Sequence, residues 1–399
     1  MNNLKKISVS KVTPIQVVPS KETQILPKES QSYAYRMNYI IIVQAVLGFN
    51  RLYLLKYGKV RLWLSYVYSI FLMACILAFA ILRRSTATSS YLVIQSTTCI
   101  EFLLLVFITM TSKKKTLESF FENLNKFDEK LNIKDCSIIV SNSRIFIWIL
   151  ICILYSIIEY LLLMFYLNSE YDYFSVLIYL SRIAHDLEQV FFCTLLRSIY
   201  LRVRVIKGHI SKTFEEKYIN DEQKPFEALS NNTKLDISSM HRMYELLHKC
   251  AEQLNSTMSL PMIISLFCSG LSTTMLLRIL FKTLQIDSSD NNTKDATVIY
   301  ISARCLKYTL LVIFPCYYSS ITTTQVANIR TMLHDAMNGA QLEKIDRRRV
   351  KAFFQLTRES EFAYALWGVI RLNMSLPLSY TSLCTTYLVI IIQFSKFID

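Results

Sequence analysis

Turn formers are scarce in this chain, with 6 glycines and 7 prolines among 399 residues. A soluble protein of that length needs more turns, and more charge to solvate its surface, than this composition supplies. Catalytic motifs are missing too. The five histidines, His185, His209, His241, His248 and His334, make no HExxH zinc site. There is no GxSxG elbow and no Walker loop. The sequence therefore predicts no enzyme, no metal and no cofactor. Ten cysteines are present, but no CxxC pair and no disulfide framework. Most lie in apolar runs, where a thiol behaves as a small hydrophobe. No cleavable signal is expected, because the first 35 or so residues lack an apolar h-region. That segment reads as disordered, and the first membrane helix is expected to serve as the targeting signal.

What is there is apolar. Hydrophobic residues make up 52% and mean hydropathy is +0.31. The formal charge of +14 suggests nucleic acid, but the basic residues flank apolar runs instead of gathering on one polar domain, so no nucleic-acid partner is expected. A helix needs roughly 20 apolar residues to cross a hydrocarbon core of about 30 Å. Seven segments qualify: Leu62–Leu82, Ser90–Thr111, Ile145–Leu167, Tyr173–Tyr200, Ser256–Phe281, Ala296–Ile321 and Met374–Phe394. Lipid offers backbone groups no partners, so each must be a helix. The fold class is all-α, a polytopic membrane protein with seven transmembrane helices.

Lys and Arg set the orientation. They crowd the N-terminal segment, including Arg51 and Arg61, the loop opened by Lys113, and the loops holding Arg202 to Lys249 and Arg330 to Arg371. The alternate loops are poor in them. The N-terminus is thus expected in the cytosol and the C-terminus outside. Asn291, in Asn291-Asn292-Thr293, is expected in an outer loop as a glycan site; Asn231 matches the pattern but falls inside. Leu117, Phe120, Phe121, Leu124, Phe127 and Leu131 recur at helical spacing. With Met240–Leu254, Gln325–Phe362 and an extension of the fourth span through Ile206, they predict a cytosolic helical layer. Its basic face reads as solvated or as touching anionic lipid.

Ionisable groups inside a membrane are costly and mark functional sites. Glu159, Arg182, His185, Asp186, Glu188, Arg304 and Lys307 fall in spans three, four and six, from the outer half to the middle. With Tyr160, Tyr166, Tyr179 and Tyr308, they predict a polar pocket open to the outside, whose ligand-binding set is Glu159, Tyr160, Tyr179, Arg182, His185, Asp186, Arg304 and Tyr308. The alternative is mutual neutralisation, Arg182 with Asp186 at i, i+4 and Glu159 with Arg304 between helices. Both can hold. His185 reads best as a satisfied histidine and Glu101 as structural. In the last span Ser375, Ser379, Ser382, Thr386, Val389 and Gln393 form one stripe, mostly hydroxyl and amide. Such a stripe lines a pore or lets helices pack closely; a pore needs several copies around an axis.

Thr386-Tyr387-Leu388-Val389-Ile390-Ile391-Ile392-Gln393-Phe394 resembles the Thr-Tyr, five apolar, Gln-Phe signature of insect gustatory receptors. Phe362 to Asn373 resembles the segment leading into that helix, with Val369 and Ile370 after Gly368 where the family often shows Leu-Phe. Gln44-Ala45-Val46-Leu47-Gly48-Phe49 resembles the segment before the first span. The resemblance implies a tastant-gated non-selective cation channel in the plasma membrane of chemosensory neurons. It implies four subunits around one pore, lined by the last helix and joined by the cytosolic helices. Ser382, Thr386, Val389, Gln393 and Phe394 then line the pore and gate, and the partners are a small-molecule tastant, the bilayer, permeating cations, and other copies or related receptor subunits. The expected division is 1–61, a cytosolic, partly disordered segment; 62–321, a six-helix sensing domain; 322–373, cytosolic anchor helices; and 374–399, the pore helix and a short outer tail. The rivals are a G-protein-coupled seven-helix chemoreceptor, opposed by the charge pattern; a secondary transporter, for which Pro315 is thin support; and a membrane enzyme.

Overall fold

A computed structural model describes residues 33–82, 89–111, 114–131, 142–166, 175–214, 236–285, 291–339 and 343–398. Two short helices come first, α1 (Tyr33–Arg36) and α2 (Asn38–Val46), then a 3-10 turn at Leu52–Leu55. The long helices are α3 (Lys59–Leu82), α4 (Ser89–Thr111), α5 (Lys114–Lys130), α6 (Asn142–Tyr166), α7 (Ser175–Phe214), α8 (Ile237–Gln285), α9 (Asn291–Gly339), α10 (Lys344–Glu359) and α11 (Leu376–Ile398). Between α10 and α11 sits a small antiparallel hairpin, β1 (Ala365–Leu366) and β2 (Ile370–Arg371). Asn291 stands in the first turn of α9, not in a loop. Tyr166 and Phe394 fall in helices, with their side chains outside the described residues.

Among the described residues, six helices are long and apolar enough to cross a membrane: α3, α4, α6, α8, α9 and α11. The fourth expected span, α7, falls short of that composition, and its packing gives the reason. It lies among α4, α6, α8 and α9, so its Arg182, His185, Asp186 and Glu188 are buried against protein and not lipid. Pro315 does not break α9, which runs unbroken for 49 residues.

Three helices outrun any bilayer. At 1.5 Å per residue, the 40 residues of α7 and the 49 of α8 span about 60 and 74 Å, at least twice a hydrocarbon core of about 30 Å. The C-terminal parts of α7 and α9 and the N-terminal part of α8 leave the bundle at the same end. There α5 and α10 complete a second layer. Leu117, Phe120, Phe121, Leu124 and Phe127 are all buried on one face of α5, as their spacing requires. Met240, Tyr244, Leu247, Cys250 and Leu254 of α8 are buried in the same core. Tyr244 meets Phe353 and Phe362 edge-on, with ring centroids 5.7 and 5.3 Å away, and its hydroxyl donates to the Ser360 carbonyl at 2.9 Å. Arg202 of α7 forks onto Asp128 of α5 at 2.6 and 2.9 Å.

The segment between α2 and α3 turns back into the bundle. Gly48 takes φ +90°, and a Cβ there would sit 3.0 Å from Leu72 Cδ2, so both backbone and space call for glycine. Phe49 is fully buried beside Phe102. Arg51 follows it inward and grips Glu188 with two bonds of 2.6 Å. Gln44 accepts from Arg51 at 3.0 Å and donates to Glu188 at 3.2 Å. Arg51, expected among the cytosolic charges of the N-terminal segment, is instead buried with its counter-ion. A charge count along the chain cannot register a segment that doubles back onto a carboxylate 137 residues away.

Candidate functional site

At the bundle end far from the second layer, α6, α7 and α9 each contribute charge to one buried network. Glu159 sits at its centre. Arg182 Nη1 donates to Glu159 Oε1 at 3.0 Å, and Arg304 Nε lies 3.0 Å from the same oxygen. Lys307 Nζ approaches Glu159 Oε2 at 3.7 Å and donates to Asp186 Oδ2 at 3.2 Å. Glu159, Arg182, Asp186 and Arg304 are buried, and Lys307 is half-buried. The expected Glu159–Arg304 pair is present. The expected Arg182–Asp186 pair is not: each residue takes a partner on a neighbouring helix, because the adjoining faces of α6 and α9 present opposite charges directly.

Tyrosines ring this network. Arg304 donates to the Tyr300 and Tyr308 hydroxyls at 3.1 and 3.0 Å. Tyr160 and Tyr179 meet edge-on at 5.1 Å, and the Arg182 guanidinium lies 4.8 Å from the Tyr179 ring centre. Tyr300 and Lys307 are absent from the expected ligand-binding set. The signal was available, since Arg304, Lys307 and Tyr308 follow Tyr300 by four, seven and eight residues, the spacing of one face of α9.

His185 connects the network to the middle of the bundle. Its ring stands 6.0 Å from Tyr308, edge to face. Its Nδ1 lies 2.5 Å from Glu101 Oε1 and 2.8 Å from Ser265 Oγ. Ser265 donates to Glu101 at 2.7 Å. His185 is thus satisfied, and Glu101 belongs to the same polar chain as the site residues. A cavity of about 30 Å³ touches His185, Gln189 and Ser269. A larger one of about 290 Å³ lies between α6, α7 and α9, beside the network at Tyr155, Asp186 and Lys307. The charges themselves close on one another.

The α8 helix links this centre to α11. Ser265 and Thr273 are two turns apart on α8, and Thr273 shares a hydrogen bond of 3.2 Å with the Tyr380 hydroxyl. Cys384 packs against the Gly270 carbonyl at 3.8 Å. Tyr380, Cys384 and Leu388 form the buried edge of α11. Ser375, Ser379, Ser382, Thr386, Val389 and Gln393 lie on the other side, exposed, as does Tyr387. The hairpin that leads into α11 is pinned to α8, because the Trp367 backbone N–H donates to Ser259 Oγ at 2.6 Å. Trp367 and Gly368 both take left-handed φ, 52° and 71°, which turns the chain sharply there. This hairpin was not expected in an all-α chain.

A family model described as 7tm Chemosensory receptor matches residues 38–398. The gustatory receptor for sugar taste 43a of Drosophila melanogaster is 26% identical over 178 residues, which is 45% of this chain and 40% of that protein. The match thus spans well under two thirds of that relative's length. The solved structure of the insect olfactory receptor OR5 from Machilis hrabei superposes with a TM-score of 0.63 at 12% identity, covering 90% of this chain and 97% of that one. That is a likeness of fold.

Proposed function

Since the chain belongs to the 7tm chemosensory receptor family, we propose that it is a gustatory receptor acting as a tastant-gated, non-selective cation channel, a tetramer in the plasma membrane of chemosensory neurons. One observation carries this reading: the hydroxyl and amide stripe of α11 faces away from its own bundle. A lone helix has no reason to show Ser379, Ser382, Thr386 and Gln393 to lipid, whereas copies around an axis turn them onto water. The second layer is then cytosolic, and the network around Glu159 lies in the outer half. A tastant engages that network and the tyrosines around it, in competition with the internal ion pairs. It opens the channel only as far as it binds the open state better than the closed one. The route to the gate near Gln393 and Phe394 runs from His185 through α8 to Tyr380.

The test is a whole-cell recording from cells expressing this chain alone, challenged with sugars and bitter plant compounds. The expected result is a ligand-evoked cation current whose conductance or rectification changes in Gln393→Ala. A response that needs a G protein and carries no direct current sinks the proposal.

A further inference from the structure

The cavity of about 290 Å³ has no part in the gating route above. It is a groove in the flank of the bundle. Its floor is one face of α7, from Asp186 through Gln189, Val190, Cys193 and Thr194 to Arg197, and its walls are α6 and α9. Its lips are Trp148, Ile151, Leu306 and Leu310, all exposed apolar side chains on membrane helices, so its mouth faces hydrocarbon. The two ends differ. The Asp186–Lys307 pair, at 3.2 Å, closes the end near the middle of the bundle. At the other end, toward the second layer, stands Arg197. It is half-buried and makes no hydrogen bond or ion pair among the described residues, whereas Arg51, Arg182, Arg202 and Arg304 are each paired.

An unpaired guanidinium beside an apolar slot calls for an anion with a hydrocarbon tail. The dimensions agree. From Asp186 to Arg197 the rise is about 16 Å, close to the depth of one leaflet, about half of a 30 Å core. The volume sits near the lower limit of small-molecule sites, about 300 Å³, which suits one acyl chain. We propose that this groove binds a phospholipid of the cytosolic leaflet, with one acyl chain between α6 and α9 and the phosphate on Arg197. The inference rests on the membrane placement of the family reading, but not on tastant or gating.

The experiment uses the purified full-length chain in detergent and follows its thermal unfolding midpoint against added lipid. The probes are dioleoyl phosphatidate, dioleoylglycerol and inorganic phosphate. Phosphatidate is expected to raise the midpoint, while dioleoylglycerol, with the same chains and no phosphate, and phosphate alone leave it in place. In Arg197→Gln, half the effect should need roughly tenfold more phosphatidate, from loss of a charge-assisted contact; Arg197→Lys should keep most of it. Leu310→Trp, which narrows the mouth, should blunt the response while leaving the lipid-free midpoint unchanged, and it keeps the test alive if Arg197→Gln does not fold. The proposal is overturned if Arg197→Gln responds at the parent's phosphatidate concentration, if dioleoylglycerol works as well as phosphatidate, or if no lipid moves the parent. It is also overturned if Leu306→Cys cross-links two copies, because a neighbouring subunit then covers the groove. None of these readouts involves current, so the channel reading stands or falls separately.

Discussion

Removing Arg51 strands Glu188, which is fully buried, as a lone charge in the bundle. Breaking one side of such a pair costs about 3–5 kcal/mol, whereas replacing both sides with apolar residues of similar size is often neutral. Arg51→Ala is therefore expected to lose most of its folded yield in detergent, and Arg51→Met with Glu188→Leu to recover much of it. Thermal unfolding of the three proteins checks this; equal loss in the single and double variants would sink the idea of a compensated pair. At this scale the sequence was partly legible. Opposite charges at matching depth pointed to Glu159 and Arg304. Helical spacing misled for Arg182 and Asp186, because spacing shows which residues share a face and not what lies opposite that face. The Arg51–Glu188 pair could not be read, since it depends on Gly48 turning the chain inward.

The apolar runs placed most helix ends within a few residues, because a run long enough to cross lipid leaves little freedom in where a helix can start. How far the helices continue was less legible. The expected cytosolic part of span four stopped at Ile206, yet α7 runs to Phe214 and buries His209 on the way. Burial, with Lys212 adding to it, lowers the His209 pKa from 6.5 to about 4. Above pH 6.5 the ring is neutral whether the chain is folded or not, and this residue adds no pH dependence. Below 6.5 the unfolded chain takes up a proton that the folded one refuses, so stability falls as pH drops from 6.5 toward 4 and then levels off. Unfolding midpoints of the purified protein across that window should decline, and His209→Gln should flatten the decline. An unchanged slope in that variant would place the sensitivity elsewhere.

The whole molecule is two stacked layers threaded by the same three helices, with the hydroxyl side of α11 exposed; the proposed tetramer covers that side. Native mass spectrometry of the detergent-solubilised protein should find a particle of about four times 46.5 kDa. A monomer that still conducts would leave the hydroxyl stripe of α11 without a purpose and sink the tetramer. The proposal of several copies rests only on that stripe and a nine-residue resemblance, because no single chain records its own neighbours. The hairpin at Ala365–Arg371 escaped notice because two-residue strands leave no periodicity to find.

The charged centre of α7 also bears on how the chain is made. A ribosome delivers segments in order, and α7 is not among the six described helices whose composition is apolar enough for a membrane span. Four of its partners are already synthesised when it emerges: Glu101 for His185, Glu159 for Arg182, Arg51 for Glu188 and Asp128 for Arg202. Asp186 must wait for Lys307, 121 residues later. At about 5–20 residues per second, that is a delay of roughly 6–24 s. Through that interval Asp186 of α7 is without its counter-ion, which comes only with α9.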